Sequence, residues 1–160
     1  MTLHIRFMTK KDKPTVVRIL RDTTEFKPME IAVAVEVIDS YLRDPVGSGY
    51  HIIVAEMGSR LVGYLAYGAA PLTEGTWDIY WAAVSREDRG QGTGSALMSH
   101  AEDEIKKARG RLAVIETSSK PEYERTRRFH RKTGYELACT VKDFYAPGDD
   151  KLIFLKKLEL

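Results

Sequence analysis

The chain contains one cysteine, Cys139, among its 160 residues, so it cannot close an internal disulfide and its fold has to rest on packing. It has neither a CxxC pair nor a Cys/His grouping with zinc spacing, and no metal site is expected. Long apolar runs are missing too. Nothing approaches the ~18 consecutive apolar residues of a membrane span, and the opening MTLHIRFMTKKDKP has no apolar stretch leading to a small-residue cleavage site. The expectation is a soluble cytoplasmic protein with no membrane partner. Nor is there a surplus of charge: 25 Lys plus Arg against 23 Asp plus Glu leave a net +2, whereas a domain that coats nucleic acid is clearly basic. No nucleic-acid partner is expected. Repeats, low-complexity tracts and linkers are absent as well, so residues 1–160 read as one domain.

What is present is an average globular composition, 43% hydrophobic and 30% charged, enough for a real core. Leu3, Ile5 and Phe7 alternate with polar neighbours, the pattern of a strand with one buried face. Asp12 and Pro14 mark a helix start. Pro28 marks a second, in which Ile31, Ala34, Val35, Ile38, Tyr41 and Leu42 recur at helical spacing. After the turn DPVGSG, three stretches rich in Val, Ile, Tyr and Trp, at 50–57, 60–69 and 76–85, predict an antiparallel meander. From Gly94 the period is helical, carried by Leu97, Ala101, Ile105 and Ala108, with Glu102–Lys106 and Asp103–Lys107 as surface pairs and Gly110 as the stop. Residues 112–117 predict a buried strand. Ser119 and Glu122 then read as a capping box for a helix ended by Gly134, and 135–144 and 151–158 supply two last strands. The order implies an α/β (α+β) layer fold around a mixed sheet.

Between the meander and the helix that follows it lies the stretch 84–97, with Gly90, Gly92 and Gly94 at alternate positions. Three bare backbone positions let a ligand come close, and the next helix turns its free N–H groups and positive dipole end toward it. The stretch reads as an anion cradle. A nucleotide P-loop needs GxxxxGK[ST], and no lysine follows Gly94. The dinucleotide fingerprint GxGxxG fails in register, because Ser95 stands at its last position. A loop of that kind also follows the first strand of a parallel unit, not a meander. A pyrophosphate outside these two classes is indicated.

These residues resemble the loop of the GNAT superfamily of acyl-CoA-dependent N-acetyltransferases. Its motif, Arg or Gln followed by xxGxG or xxGxA, is matched by Arg89, Gly92 and Gly94, with Leu97 in the following helix. Phe129 to Tyr135, FHRKTGY, is similar to the FYxxxGF segment of the superfamily with histidine in place of tyrosine. The order of elements agrees along essentially the whole chain. The resemblance implies a mixed, mostly antiparallel central sheet of about seven strands flanked by about four helices, with acetyl-CoA as co-substrate. It implies that the backbone of Arg89, Gly90, Gln91, Gly92, Thr93, Gly94 and Ser95 holds the coenzyme A pyrophosphate, and that the pantetheine arm pairs with Ala82, Ala83 and Val84. Neighbouring strands part there in the superfamily, freeing an N–H near Ala83 for the oxyanion. The stretch 125–132 has five cations in eight positions. It is either a solvated face or a phosphate contact, with Arg127, Arg131 and Lys132 as candidates beside Phe129 and His130.

An amine must be neutral to attack a thioester, so a base has to take its proton. Asp78 stands where the histone acetyltransferase branch carries its base, and Glu116 where ribosomal-protein alanine acetyltransferases carry theirs. Both are candidates, with Glu116 taken first. The leaving thiolate needs only modest help from an acid. His130 stands in place of the family's tyrosine, and an ordinary imidazole pKa near 6.5 would tie the step to physiological pH. Tyr123 and Tyr145 are alternative donors. Cys139 reads as a small packed residue.

The resemblance sets the acceptor between 26–30 and the hairpin 143–150, where acidic and aromatic groups suit a cationic amine. The acceptor is then a small molecule or a protein N-terminus. Direct transfer to that amine is the first expectation, by a monomer or homodimer. A non-catalytic acyl-CoA-binding or sensor module that kept the loop is the alternative. A nucleic-acid binder using the helix at 125–132 would lack the aromatic platform of a single-strand binder.

Overall fold

Ile52, Ile53, Val54 and Ala55 are consecutive and fully buried, so the strand that carries them needs cover on both faces. The chain supplies it with helices on either side of one sheet. The computed structural model describes residues 2–159. Its elements are β1 (Leu3–Phe7), α1 (Lys13–Asp22), α2 (Pro28–Arg43), β2 (Tyr50–Met57), β3 (Arg60–Ala69) and β4 (Thr76–Val84). They continue with α3 (Thr93–Lys107), β5 (Leu112–Ser118), α4 (Glu124–Lys132), β6 (Glu136–Ala146) and β7 (Asp149–Lys157). The seven-stranded sheet runs β1-β2-β3-β4-β5-β7-β6. Its neighbours pair antiparallel except β4 and β5, which are parallel and need the crossover that α3 provides. The α/β architecture expected from the sequence is therefore the one observed.

On one face, Val16, Ile19 and Leu20 of α1 and Ala34 and Ile38 of α2 pack on Ile52, Val54, Tyr64 and Ala66. On the other, Leu97, Met98, Ala101 and Ile105 of α3 pack on Ile53, Leu65, Tyr67, Ile79, Ala113 and Ile115, with Phe154 of β7 beside them. Alternation along each strand feeds the two cores in turn.

The sheet then parts. β4 and β5 pair only over 76–79 and 112–115, while β5 continues along β7 to Ser118. On its other side β4 has a register shift against β3: Tyr67 faces Ile79 and Ala66 faces Trp81, which leaves Tyr80 as an extra residue. Such a bulge bends the strand that carries it, and beyond it β4 keeps its pairing with β3 while its edge toward β5 has no strand partner.

Several local signals resolved differently from their sequence reading. Arg109, at φ 65°, takes the left-handed position after α3, not Gly110. Gly110 is needed for space, since a Cβ there would meet Ile105 at 2.2 Å. Glu102 makes no surface pair with Lys106. It is buried and binds the Tyr135 hydroxyl (2.7 Å) and Lys156 (2.9 Å). Asp103 and Glu104 pair instead with Lys106 and Lys107, at three-residue spacing. No capping box forms at Ser119, whose hydroxyl accepts the Asp150 N–H (2.8 Å). Cys139 is exposed on β6, an edge strand no helix covers, so it is not a packed residue.

Candidate active site

The split between β4 and β5 opens a cavity of about 720 Å³. Asp78 and residues 80–84 of β4 form one wall and residues 114–118 of β5 another. The start of α3 and the Phe129, His130 and Lys132 side of α4 close it at one end. Glu25 and Phe26 between α1 and α2 and Glu30 in the first turn of α2, with Tyr145 and Asp149 of the last hairpin, line the other. The sequence-predicted Ala82, Ala83, Val84, Arg89, Gly90, Gly92, Thr93, Gly94 and Ser95 all belong to this wall.

The cradle is made of backbone. Gly90 and Gly92 have φ of 77° and 82°, a conformation that strains other residues, and nothing lies within 4 Å of where their Cβ atoms would stand. The first N–H of this stretch to find a protein acceptor is that of Ala96, on the Gly92 carbonyl at 3.0 Å. Among the described residues those of 90–95 have none, as the first turn of a helix leaves them. The Thr93 hydroxyl is buried beneath them without a partner. Gly94 packs flat on Phe129, whose ring would stand 3.2 Å from a Cβ there.

The loop ahead of the cradle is tied down by groups the sequence reading missed. Arg60 donates through both terminal nitrogens to the buried Asp88, at 2.5 and 2.8 Å, and the Ser85 hydroxyl donates to the same carboxylate. These hydrogen bonds hold the Asp88 carboxyl below its usual range, Arg60 first. Ser85 and Asp88, three apart, were a readable local signal. Arg60, 28 residues from Asp88, was not.

Of the cations proposed for the phosphates, Lys132 lines the cavity and Arg127 does not. Arg127 Nη1 donates to the carbonyls of Ser118 and Lys120, both at 2.8 Å, and so anchors α4 to the end of β5. Arg131 lies over the Phe154 ring at 5.5 Å, again outside the wall. Gln91 is exposed at the loop tip and is not part of the wall either. Arg125 lines the cavity but is paired with Glu25 at 3.4 Å.

The two candidate carboxylates differ sharply. Glu116 is exposed and paired with Lys151 at 3.1 Å. Asp78 is half-buried and has no ion-pair partner among the described residues. Burial first, and then the charge of Glu116, push its pKa up, with Lys151 opposing. His130 is only 7% exposed, among Phe129, Tyr135 and Phe154. Its Nδ1 has no partner. Burial lowers its pKa to about 4, so it does not titrate in the physiological range expected of it. The Tyr123 hydroxyl shares its one proton between the Glu30 carboxylate (2.8 Å) and the Glu25 carbonyl (2.9 Å). Tyr145 is pushed up to about 12, by burial and then by Glu116, Asp149 and Glu30. Among the described residues no group of three or more His, Cys, Asp or Glu could hold a metal, and no helix is long and apolar enough to cross a membrane.

This geometry has relatives. A family model for the acetyltransferase (GNAT) domain matches residues 48–137, which take in the meander, the cradle and α4 but neither α1 and α2 nor the last hairpin. An uncharacterized N-acetyltransferase of Methanocaldococcus jannaschii is 30% identical over 105 residues, 65% of this chain and 64% of the length of that relative. The crystal structure of a GNAT-family protein from Desulfovibrio desulfuricans superposes with a TM-score of 0.95 at 34% identity, covering 99% of this chain and 100% of that one. The PaiA N-acetyltransferase of Thermoplasma acidophilum, solved in complex with coenzyme A, has a TM-score of 0.77 at 15% identity, over 98% and 99% of the two chains. It shares the fold. With more than half of its length matched to the family, cradle included, the chain belongs to the GNAT acetyltransferases.

Proposed function

We propose that this GNAT acyltransferase moves the acetyl group of acetyl-CoA directly to a primary amine, with Asp78 as the base. One observation carries the reading. A single cavity joins the unpaired N–H groups of residues 90–95, the unpaired edge of β4, and a half-buried carboxylate without a counter-ion.

The cradle fits a pyrophosphate: its donors lie at a helix N-terminus, its positive-φ glycines leave the approach open, and Arg89 and Lys132 add cations. The free edge of β4 at Ala82, Ala83 and Val84 can pair with an extended amide-bearing arm as a further strand would. Bound acetyl-CoA supplies an activated carbonyl carbon, to which the amine nitrogen bonds as the C–S bond breaks. Asp78 takes the proton lost by the ammonium, and its raised pKa makes it a better acceptor than an ordinary aspartate. A free N–H of β4 near Ala83 meets the charge that develops on the carbonyl oxygen. His130 stays neutral and Tyr145 stays protonated at physiological pH. Either can therefore donate a hydrogen bond to the departing thiolate, whose conjugate pKa, around 8.5, asks for no more, and the second proton that the nitrogen sheds on becoming an amide balances the thiol released. The one thiol of the chain, Cys139, lies outside the cavity wall, in keeping with direct transfer.

Thiol release from acetyl-CoA, followed over a panel of amines and peptide N-termini, tests the proposal. Calorimetric binding of acetyl-CoA with no thiol release on any acceptor would favour the non-catalytic sensor. Absence of binding at millimolar ligand would remove both.

A further inference from the structure

The acceptor end of the cavity holds more negative charge than one amine requires. Five carboxylates line it: Glu25, Glu30, Asp78, Glu116 and Asp149. Two are neutralised, Glu25 by Arg125 and Glu116 by Lys151. The other three make no ion pair among the described residues, although the charge of Lys151 reaches Asp78. Glu30 accepts only from the neutral Tyr123 hydroxyl. Asp149, 2% exposed, accepts only from the Ser118 hydroxyl. Hydroxyls satisfy hydrogen bonds without cancelling charge, so each of these groups keeps a desolvation cost that an arriving cation would offset. Among the described residues, the cations of the wall without an ion pair are Arg89 and Lys132, which flank the cradle, and Lys27, which is exposed beside Phe26 at the acceptor end. A separate observation marks the cavity as built for a ligand. His130, nine-tenths buried, lines it with Nδ1 unpartnered.

The three uncompensated carboxylates form two stations. Asp78 is level with Val114 in the β4–β5 register, whereas Asp149 is bonded to Ser118, four residues further along β5. At ~3.3 Å per residue those levels are about 13 Å apart, a gap that side chains reaching toward each other shorten. Glu30 joins Asp149: both charges act on the Tyr145 and Tyr123 hydroxyls, whereas neither acts on Asp78, whose neighbours in charge are Lys151 and Glu116, the latter reaching Tyr145 too. Between the stations the walls are aromatic, with Tyr80, Trp81 and Tyr145 offering apolar faces to a hydrocarbon spacer.

Resting on the amine-acceptor reading above, we propose that the acceptor is a flexible aliphatic diamine, one nitrogen reacting beside Asp78 while the other stays an ammonium held by Glu30 and Asp149. Only the first nitrogen gains the acetyl group, losing one proton to Asp78 and another that balances the released thiol, and the second nitrogen keeps its charge throughout.

The test compares α,ω-diamines of four to eight carbons with n-alkylamines of equal length, by thiol release at fixed saturating acetyl-CoA. The expected result is kcat/KM at least about tenfold higher for the best diamine than for its monoamine, the size of one charge-assisted hydrogen bond. Glu30→Gln and Asp149→Asn should each pull that ratio toward one. A melting scan checks the variants, and if one fails to fold the other decides, alongside the wild-type ratio. A wild-type ratio of one at every length, with alkylamines turning over, would overturn the diamine and leave acetyl transfer to amines standing. Turnover of peptide N-termini alone would do the same. No thiol release with any acceptor would overturn both.

Discussion

The two ends of the cleft are made of different material. At the cradle the binding groups are backbone N–H groups from one uninterrupted stretch, Gly90 to Ser95, shaped by two left-handed glycines. At the acceptor end they are side chains from five elements: Asp78 on β4, Glu116 on β5, Glu30 on α2, Tyr145 on β6 and Asp149 on β7. A backbone site depends on conformation and accepts any ligand with the right phosphate geometry. A side-chain site depends on charge and shape, and each residue in it can change without disturbing the chain path. The cradle thus defines a class of chemistry, and the acceptor end selects within it.

If that division holds, damage at either end should separate cleanly. The largest effect belongs to the base. Asp78→Asn, which preserves shape and removes the proton acceptor, should lower kcat at neutral pH about a thousandfold. Acetyl-CoA affinity by calorimetry should stay within about twofold, because the substitution lies away from the cradle. Glu116→Gln should do much less. Equal losses in the two variants, or none in either, would remove Asp78 from its role.

His130 helps close the cradle end, and its burial has a thermodynamic signature. Its folded-state pKa, about 4, lies below the ordinary 6.5. Between those values the unfolded chain binds a proton that the folded chain does not, and stability falls as pH drops through that window. The loss amounts to about 3 kcal/mol at its limit. Denaturant melts at pH 7 and pH 4.5 should show the wild type losing more than His130→Gln by about 2 kcal/mol. Parallel losses would mean the imidazole is hydrated and no longer the closed end of the cavity.

The same division explains what the sequence could show. The strands at 50–57 and 60–69 and the helix starts at Pro14 and Pro28 are local patterns, and they formed where periodicity and proline placed them. The cradle too is local: alternate glycines before a helical period suffice to describe it. Signals failed wherever a distant partner took the group. The Ser119 hydroxyl went to Asp150 instead of capping a helix, Glu102 went inward to Tyr135 and Lys156, and Arg127 went to two carbonyls at the end of β5. The choice between Glu116 and Asp78 was of this kind. Both are carboxylates near strand ends, and only the fold shows that Lys151 claims one and burial perturbs the other.

At the cradle, the sharpest single probe is Gly92→Val. A β-branched residue at φ 82° is strained, and relieving a cost of about 2 kcal/mol would turn the N–H groups out of line. Acetyl-CoA should bind about thirtyfold more weakly, with the diamine to monoamine ratio unaltered at saturating coenzyme. A change in acceptor preference would show that the ends are coupled.

The smallest effect is the most discriminating. Lys151 lies between the two carboxylates in charge: it pairs with Glu116 at 3.1 Å, stands over the Phe144 ring at 4.2 Å, and opposes the upward shift of Asp78. Lys151→Met removes a cation that favours the ionised form of Asp78, so its pKa should rise further. A base must be ionised to act, so the acidic limb of kcat/KM against pH should move to higher pH. Glu116→Gln removes a like charge and should move the same limb lower. Opposite displacements in two variants that touch neither the cradle nor Asp78 itself would identify the titrating group as Asp78. A limb that stays fixed in both would assign it to a group outside this cluster, and the acceptor end would then have to be rebuilt around another base.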